Sequence, residues 1–247
     1  MDFAPKNQQG PWVLETVRET GSTNTDLLRA GAEGAADRTV LRADHQTAGR
    51  GRLDRTWEAA PGANLLVSFL FREIPTNPHV PAQAVSLGAR DVAVSLGVPA
   101  VLKWPNDLLV GTAKLGGMLA QAGPLVDGRP SFIVVGIGVN IHDAPEGAAS
   151  LAGSGMTRDV TPQEFMEEML PRVDAYLSMD AAGFHAAYRS ALATIGSLVR
   201  AELPDGGTIE GRAVDVTDDG RLVILDDCAV THRLHTADVV HLRPAGA

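Results

Sequence analysis

The chain has one cysteine, Cys228, in 247 residues. A lone thiol cannot close an internal disulfide, so the sequence reads as one for a reducing cytoplasm. No functional motif surrounds Cys228, which is expected to be an inert residue of a β-rich region. Aromatic residues make up 4% of the chain against 45% hydrophobic residues in all, so aliphatic side chains must fill most of the core. Lysine is scarce: Lys6, Lys103 and Lys114 stand against 18 arginines (21 − 3). No apolar run approaches the ~18 residues that span a bilayer. The opening Met1-Asp2-Phe3-Ala4-Pro5-Lys6 shows no basic-then-apolar leader, so no membrane partner is expected. A formal net charge of −9 argues against a general grip on nucleic acid, where phosphate neutralisation dominates affinity. Nucleotide fingerprints are also missing: no Gly-Lys-Ser/Thr follows the glycine pairs, and Gly-x-Gly lacks its third glycine.

What is present is concentrated in a few stretches. In His45-Gln46-Thr47-Ala48-Gly49-Arg50-Gly51-Arg52-Leu53-Asp54-Arg55-Thr56-Trp57 two glycines alternate with two arginines. Glycine allows close backbone approach to a ligand, and guanidinium groups match carboxylate or phosphate oxygens. Such a loop suits wrapping an anion, although Asp54 also offers Arg55 a local ion pair. Two of the three lysines lie in two further stretches, Lys103-Trp104-Pro105-Asn106-Asp107 and Lys114-Leu115-Gly116-Gly117-Met118-Leu119. Pro105 breaks regular pairing and presents Asn106 and Asp107 at a strand end. Gly116 and Gly117 strip side chains from a strand, as a close-lying ligand requires.

Periodicity organises the rest. Residues 1–10 are polar and read as a loose tail. Residues 11–194 carry strands at Trp12–Val17, Thr39–Ala43, Asn64–Phe71, Val101–Trp104 and Ser131–Ile141, with a hairpin over Leu108–Gln121. Thr23-x-x-Asp26 has capping-box spacing for a short helix, and Thr161-Pro162-x-Glu164 is a second such start. A helix over Pro81–Leu96 ends at Gly97. Pro171 should kink or bound the helix that begins at Thr161, and a further helix runs over Ala181–Leu192. The stretch Asp143–Asp159 lacks a period and reads as a mobile loop. After about Thr194 the texture changes to short strands separated by Asp-Gly turns, so residues 195–247 are expected to form a small SH3-like β-barrel. His232, His235 and His241 do not make a metal site there, because residues three apart on a strand face opposite ways. The fold class is α/β (α+β), a mixed sheet with helices packed on it, plus that barrel.

These three stretches, together with Ser22-Thr23-Asn24 and Gly136-Ile137-Gly138-Val139-Asn140, resemble the biotin protein ligases in order and rough spacing, from about Trp12 to Arg243. The resemblance implies an architecture related to class II aminoacyl-tRNA synthetases. It also implies that the protein activates biotin with ATP as biotinyl-5′-AMP and transfers it to a lysine of a biotin carboxyl carrier domain. With the resemblance starting at about Trp12, the monofunctional type, without the DNA-binding domain of the family's regulatory members, is expected. Lys114, Arg50 and Arg52 match residues that act on the reacting carboxylate and phosphate. Ser22, Thr23, Asn24, Gln46, Gly49 and Gly51 match the biotin side. Trp57, Lys103, Asn106, Asp107 and Asn140 match the ATP side, with Asp107 the candidate carboxylate near Mg²⁺. Neither half-reaction needs an enzyme nucleophile, which fits a chain without a Ser-His-Asp constellation. A lipoate–protein ligase shares the fold and adenylate logic and is the nearest alternative. A non-catalytic biotin- or adenylate-responsive regulator is the alternative from another class.

Overall fold

The computed structural model describes residues 7–52, 55–203, 205–235 and 238–241. In chain order the first unit carries β1 (Asn7–Gln9), β2 (Trp12–Thr20), α1 (Thr23–Ala32), β3 (Thr39–Gln46), β4 (Leu65–Phe71), α2 (Val80–Ser95), β5 (Ala100–Lys103), β6 (Asp107–Val110), β7 (Ala113–Ala122), β8 (Leu125–Val126), β9 (Arg129–Pro130), β10 (Ile133–Val139), α3 (Pro162–Leu177) and α4 (Ala181–Ala191). Eight of these strands form one sheet in the order β1-β2-β3-β4-β10-β7-β6-β5. Among the described strands of this sheet, β2 and β3 alone pair in parallel. Parallel neighbours need a crossover connection, and α1 supplies it.

Burial follows from the two faces of the sheet. All seven residues of β4 are buried, the apolar run expected of a strand covered on both sides. Val67, Phe69 and Phe71 join α2 and α3 residues such as Val85, Val92, Phe165 and Met169 in the main core. On the other face Leu70 and Val134 pack with Leu27 of α1 and with Phe132 in a smaller core. That second face is only partly covered by α1, and the remainder of it is the candidate site.

Residues 195–247 contribute β11 (Leu198–Glu202), β12 (Thr208–Val216), β13 (Leu222–Leu225), β14 (Thr231–Leu234) and β15 (Asp238–His241). They form an antiparallel sheet in the order β14-β13-β12-β11-β15. The sheet is bonded to the first unit: the Trp104 indole Nε1 donates to Gly220 O at 2.9 Å, and Arg189 pairs with Asp215 at 2.6 Å.

Four expectations need correction. The tail is not wholly loose: Asn7–Gln9 pairs antiparallel with Trp12–Leu14, while residues 1–6 lie outside the described residues. The spacing Thr23-x-x-Asp26 is not a capping box. Ser22 occupies the N-cap position without a side-chain cap bond, Asp26 accepts from Thr20 Oγ1, and Thr23 is turned to other use. Pro171 neither ends α3 nor bounds it, since the helix continues to Leu177 behind a complete Thr161–Glu164 capping box. The Asp143–Asp159 stretch is anchored: Ala149 N donates to Lys114 O at 2.9 Å, Leu151 N to Asn140 O at 3.0 Å, and Leu151 is fully buried. Cys228 is exposed, in the turn between β13 and β14.

Candidate active site

Two rows of residues, one pleat apart, make the floor of the site. In the first, Ser68 of β4 lies opposite Gly136 of β10, which lies opposite Leu119 of β7. In the second, Leu66, Gly138, Gly117 and Asp107 follow one another across β4, β10, β7 and β6. Residues two apart on a strand share a face, so both rows look the same way. A cavity of about 250 Å³ opens above them.

Over the first row lies the start of α1. The Asn24 carboxamide spans it, donating from Nδ2 to Leu119 O at 3.1 Å and to Gln121 Oε1 at 2.9 Å, and accepting from Ser68 Oγ at 2.6 Å. A Cβ on Gly136 would come within 2.8 Å of Asn24 Cγ, so glycine is required beneath it. Thr23 N and Oγ1 both reach Gln46 Oε1, at 2.8 and 3.0 Å, and Thr23 Oγ1 also lies 2.7 Å from Ser68 Oγ. This end is uncharged and buried.

Over the second row lies Trp57. A Cβ on Gly138 would sit 2.6 Å from the indole Nε1, so the ring packs against bare backbone. The loop leading to it is a zipped hairpin. Trp57 N donates to Gly49 O at 3.0 Å, Gly51 N to Arg55 O at 2.6 Å, and Arg50 bridges Thr56. A Cβ on Gly49 would collide with Trp57 O. Leu53 and Asp54, with the expected Asp54–Arg55 ion pair, lie outside the described residues. Arg52 Nη1 donates to Asn106 Oδ1 at 3.0 Å, tying the loop to the turn before β6. Asp107 receives Lys114 Nζ at 2.6 Å and lies 4.0 Å from Lys103 Nζ. The Lys114 ammonium also lies 5.8 Å from the Trp57 ring centroid. Arg50, Arg52, Arg55, Lys103 and Lys114 line the cavity against Glu58 and Asp107, so this end carries an excess of positive charge.

Two buried polar atoms here lack hydrogen-bond partners, Trp57 Nε1 and Asn140 Oδ1. Asn140 Nδ2 donates to Ala149 O at 2.9 Å, which fixes the amide and leaves the oxygen open. Burying an unpaired polar atom costs on the order of 1–3 kcal/mol, which a ligand with matching groups would recover.

The structure thus gathers Ser22, Thr23, Asn24, Gln46, Arg50, Gly51, Arg52, Trp57, Lys103, Asn106, Asp107, Lys114 and Asn140 around one cavity. Gly49 is not a wall residue and instead holds the loop's two legs together. Trp104 is buried and lines the cavity as well. Sequence reasoning missed Ser68, Gln121, Glu58 and Val239. Val239 reaches the cavity from β15, and nothing in its local sequence signals that.

Fold and site together define a class. Residues 17–140 match the Biotin/lipoate A/B protein ligase family and residues 194–242 match the biotin protein ligase C terminal domain, so the chain belongs to that ligase family. Within it, the chain is 39% identical to the biotin--[acetyl-CoA-carboxylase] ligase of Mycobacterium tuberculosis, covering 93% of this chain and 89% of that protein. The ligase of the same description from Paracoccus denitrificans is 30% identical over 84% of this chain and 92% of its own length. Among solved structures, the biotin protein ligase from Aquifex aeolicus in complex with biotin and ATP superposes with a TM-score of 0.78 at 25% identity, over 94% of this chain and 99% of that one.

Proposed function

We propose that the protein is an ATP-dependent biotin–[acetyl-CoA-carboxylase] ligase, which forms biotinyl-5′-AMP and transfers the biotinyl group to a lysine of a carboxyl carrier domain. One observation carries the reading. A single cavity has an uncharged, hydrogen-bonded end at Ser22, Thr23, Asn24 and Gln46 and a cationic end at Arg50, Arg52, Lys103 and Lys114. A ureido ring suits the first and a triphosphate the second, which puts the biotin carboxylate and the α-phosphate near Lys114.

In the first half-reaction a biotin carboxylate oxygen attacks the α-phosphorus of ATP and the bond to the pyrophosphate oxygen breaks. Both reactants are anions, so the barrier falls when fixed cations offset their repulsion and align them. Lys114 and Arg50 take that role, and Arg52 holds the product adenylate while keeping its contact with Asn106. Asp107 keeps the Lys114 ammonium in place before substrate arrives. Asn140 Oδ1 accepts from the exocyclic amine of adenine, where guanine has a carbonyl, so the site prefers ATP to GTP. Trp57 offers its ring face and its indole N–H to the nucleotide. In the second half-reaction a carrier lysine amine attacks the acyl carbon, the C–O bond to AMP breaks, and the amine proton leaves to solvent.

A protein-built seat for Mg²⁺ fits poorly. The Asp107 carboxylate is held by two ammonium groups, and no three acidic, His or Cys side chains converge among the described residues. Mg²⁺ therefore enters as part of the MgATP substrate, carried by phosphate oxygens. We further assign residues 11–194 to a catalytic domain of the class II aminoacyl-tRNA synthetase type and residues 195–247 to an SH3-like barrel. A cytoplasmic location and the absence of membrane and nucleic-acid partners complete the reading.

The test is to incubate the protein with ATP, labelled biotin or labelled lipoate, and a carboxyl carrier domain. Label on the carrier lysine from biotin alone is the expected result. Label from lipoate, or none from biotin, overturns the reading.

A further inference from the structure

Behind the uncharged end of the cavity lies a chain of hydrogen bonds whose direction is fixed by backbone groups. Leu119 O can only accept, so the Asn24 amide must turn Nδ2 toward it, at 3.1 Å, and leave Oδ1 facing Ser68. Ser68 has one hydroxyl proton, and Asn24 Oδ1 takes it at 2.6 Å. Ser68 Oγ, 2.7 Å from Thr23 Oγ1, is then able only to accept from it. Thr23 N–H can only donate, so Gln46 must turn Oε1 toward it at 2.8 Å. The Thr23 hydroxyl therefore has two partners on the protein side, Ser68 Oγ and Gln46 Oε1 at 3.0 Å, and both are acceptors. Its one proton is spent inward, and what it turns to the cavity is a lone pair. The Gln46 Nε2 end lies beside Gly49, so it offers donors.

We propose that Ser68 and Gln121 are positioning residues that set the hydrogen-bond polarity of Thr23 and Asn24, so that this end of the cavity selects a ligand presenting N–H donors beside a carbonyl. The inference rests on the reading of that end as the ureido site. Ser68 is fully buried on β4, and its hydroxyl sits between Thr23 and Asn24. Gln121 is half-buried on β7 and supplies the second acceptor for Asn24 Nδ2.

The experiment measures the Kd of biotin and of desthiobiotin, which keeps the ureido group, by calorimetry without ATP. It adds the KM for ATP and the thermal midpoint for each variant. Ser68→Ala is expected to weaken both ligands equally, by about five- to ten-fold, the scale of one hydrogen bond, with the KM for ATP unchanged. Gln121→Leu should weaken both by a smaller factor, while Gln121→Glu, which keeps an acceptor oxygen, should bind like wild type. The Gln121 pair carries the test if Ser68→Ala proves unstable, because that side chain is half-exposed. Unchanged biotin Kd in Ser68→Ala and Gln121→Leu, or equal losses in biotin Kd and ATP KM, would overturn the proposal. A wild-type protein that binds no biotin would instead overturn the functional reading beneath it.

Discussion

The two ends of the cavity are built differently although they share three strands, β4, β10 and β7. At the Thr23 end the Thr23, Asn24 and Ser68 side chains are all hydrogen-bonded to protein partners. The side chains stand on α1 and on paired strands, and the backbone dictates their orientation. At the Lys114 end the groups are charged and partly solvated: the Lys114 side chain is 41% exposed and Asp107 21%. Two buried polar atoms wait unpaired there, and the arginines ride on a hairpin. A neutral ring is recognised by direction, which rigid hydrogen bonds supply. Charge is neutralised by cations that must follow the reactants as bonds change, and a hairpin held by exchangeable contacts such as Arg52 to Asn106 can do so.

The largest break in this comparison comes from the charged end. Lys114→Ala is expected to cut biotin-dependent ATP–pyrophosphate exchange by about 10²- to 10³-fold, the usual cost of removing a preorganised charge from a developing anion. The biotin Kd without ATP should rise by much less, about ten-fold, because only the contact with the carboxylate is lost. Exchange at near-normal rate in a folded Lys114→Ala protein would place the lysine outside the reaction.

Gly138→Ala sharpens the comparison because it adds only a methyl group. The new Cβ would lie 2.3 Å from Trp57 Cε2, so the indole must leave its platform. Overpacking of this kind costs roughly 1–3 kcal/mol, or about a ten-fold rise in the KM for ATP. Steady-state kinetics with saturating biotin reads it. A comparable loss in biotin affinity would show that the two ends are not separable.

Arg52→Gly should have a subtler effect. It removes the contact with Asn106 and one charge over the adenylate, so the intermediate escapes about ten-fold faster while synthesis continues. Released biotinyl-AMP acylates amines without regard to sequence. Blotting a lysine-rich bystander protein for biotin tests this: label confined to the carrier, as in wild type, would show that Arg52 does not retain the intermediate.

The division was partly legible in the sequence. The charged end was, because Arg50, Arg52, Lys103 and Lys114 sit in glycine- and proline-marked stretches whose local geometry is unusual. The neutral end was legible only through Ser22, Thr23, Asn24 and Gln46, and the Thr23-x-x-Asp26 spacing suggested helix capping instead. Tertiary contacts overrode it: the Thr23 hydroxyl is taken by Ser68 and Gln46. Ser68 left one faint signal, a single polar residue inside the apolar run Leu65–Phe71. Val239 left none, because its place depends on how the C-terminal sheet folds back. The start of α3 was readable because Thr161 and Glu164 satisfy each other locally. The Leu125–Pro130 hairpin could have been found from Asp127-Gly128, which turn it with positive φ.

The smallest expected effect lies at the seam with the C-terminal sheet. Burial holds the His79 and His241 imidazoles below their ordinary value near 6.5, with His235 and Lys103, respectively, adding to the shift and Asp219 opposing it at His79. A lowered histidine pKa means that the unfolded chain binds more protons, so stability should fall as pH drops below about 6.5. Carboxylates held low by their partners, such as Asp215 beside Arg189 and Asp226 beside His232, act in a separate, more acidic window. The thermal midpoint should therefore decline modestly between pH 7 and pH 5.5, and less so in His241→Gln. An identical decline in His241→Gln would remove that histidine from the account.

The most direct test of the two-ended cavity is ATP–pyrophosphate exchange by the purified protein with no carrier present. Exchange should appear with biotin, stay absent with lipoate, and be far slower with GTP than with ATP. Exchange driven by lipoate, or exchange independent of any acid, would contradict the assignment of the neutral end to a ureido ring.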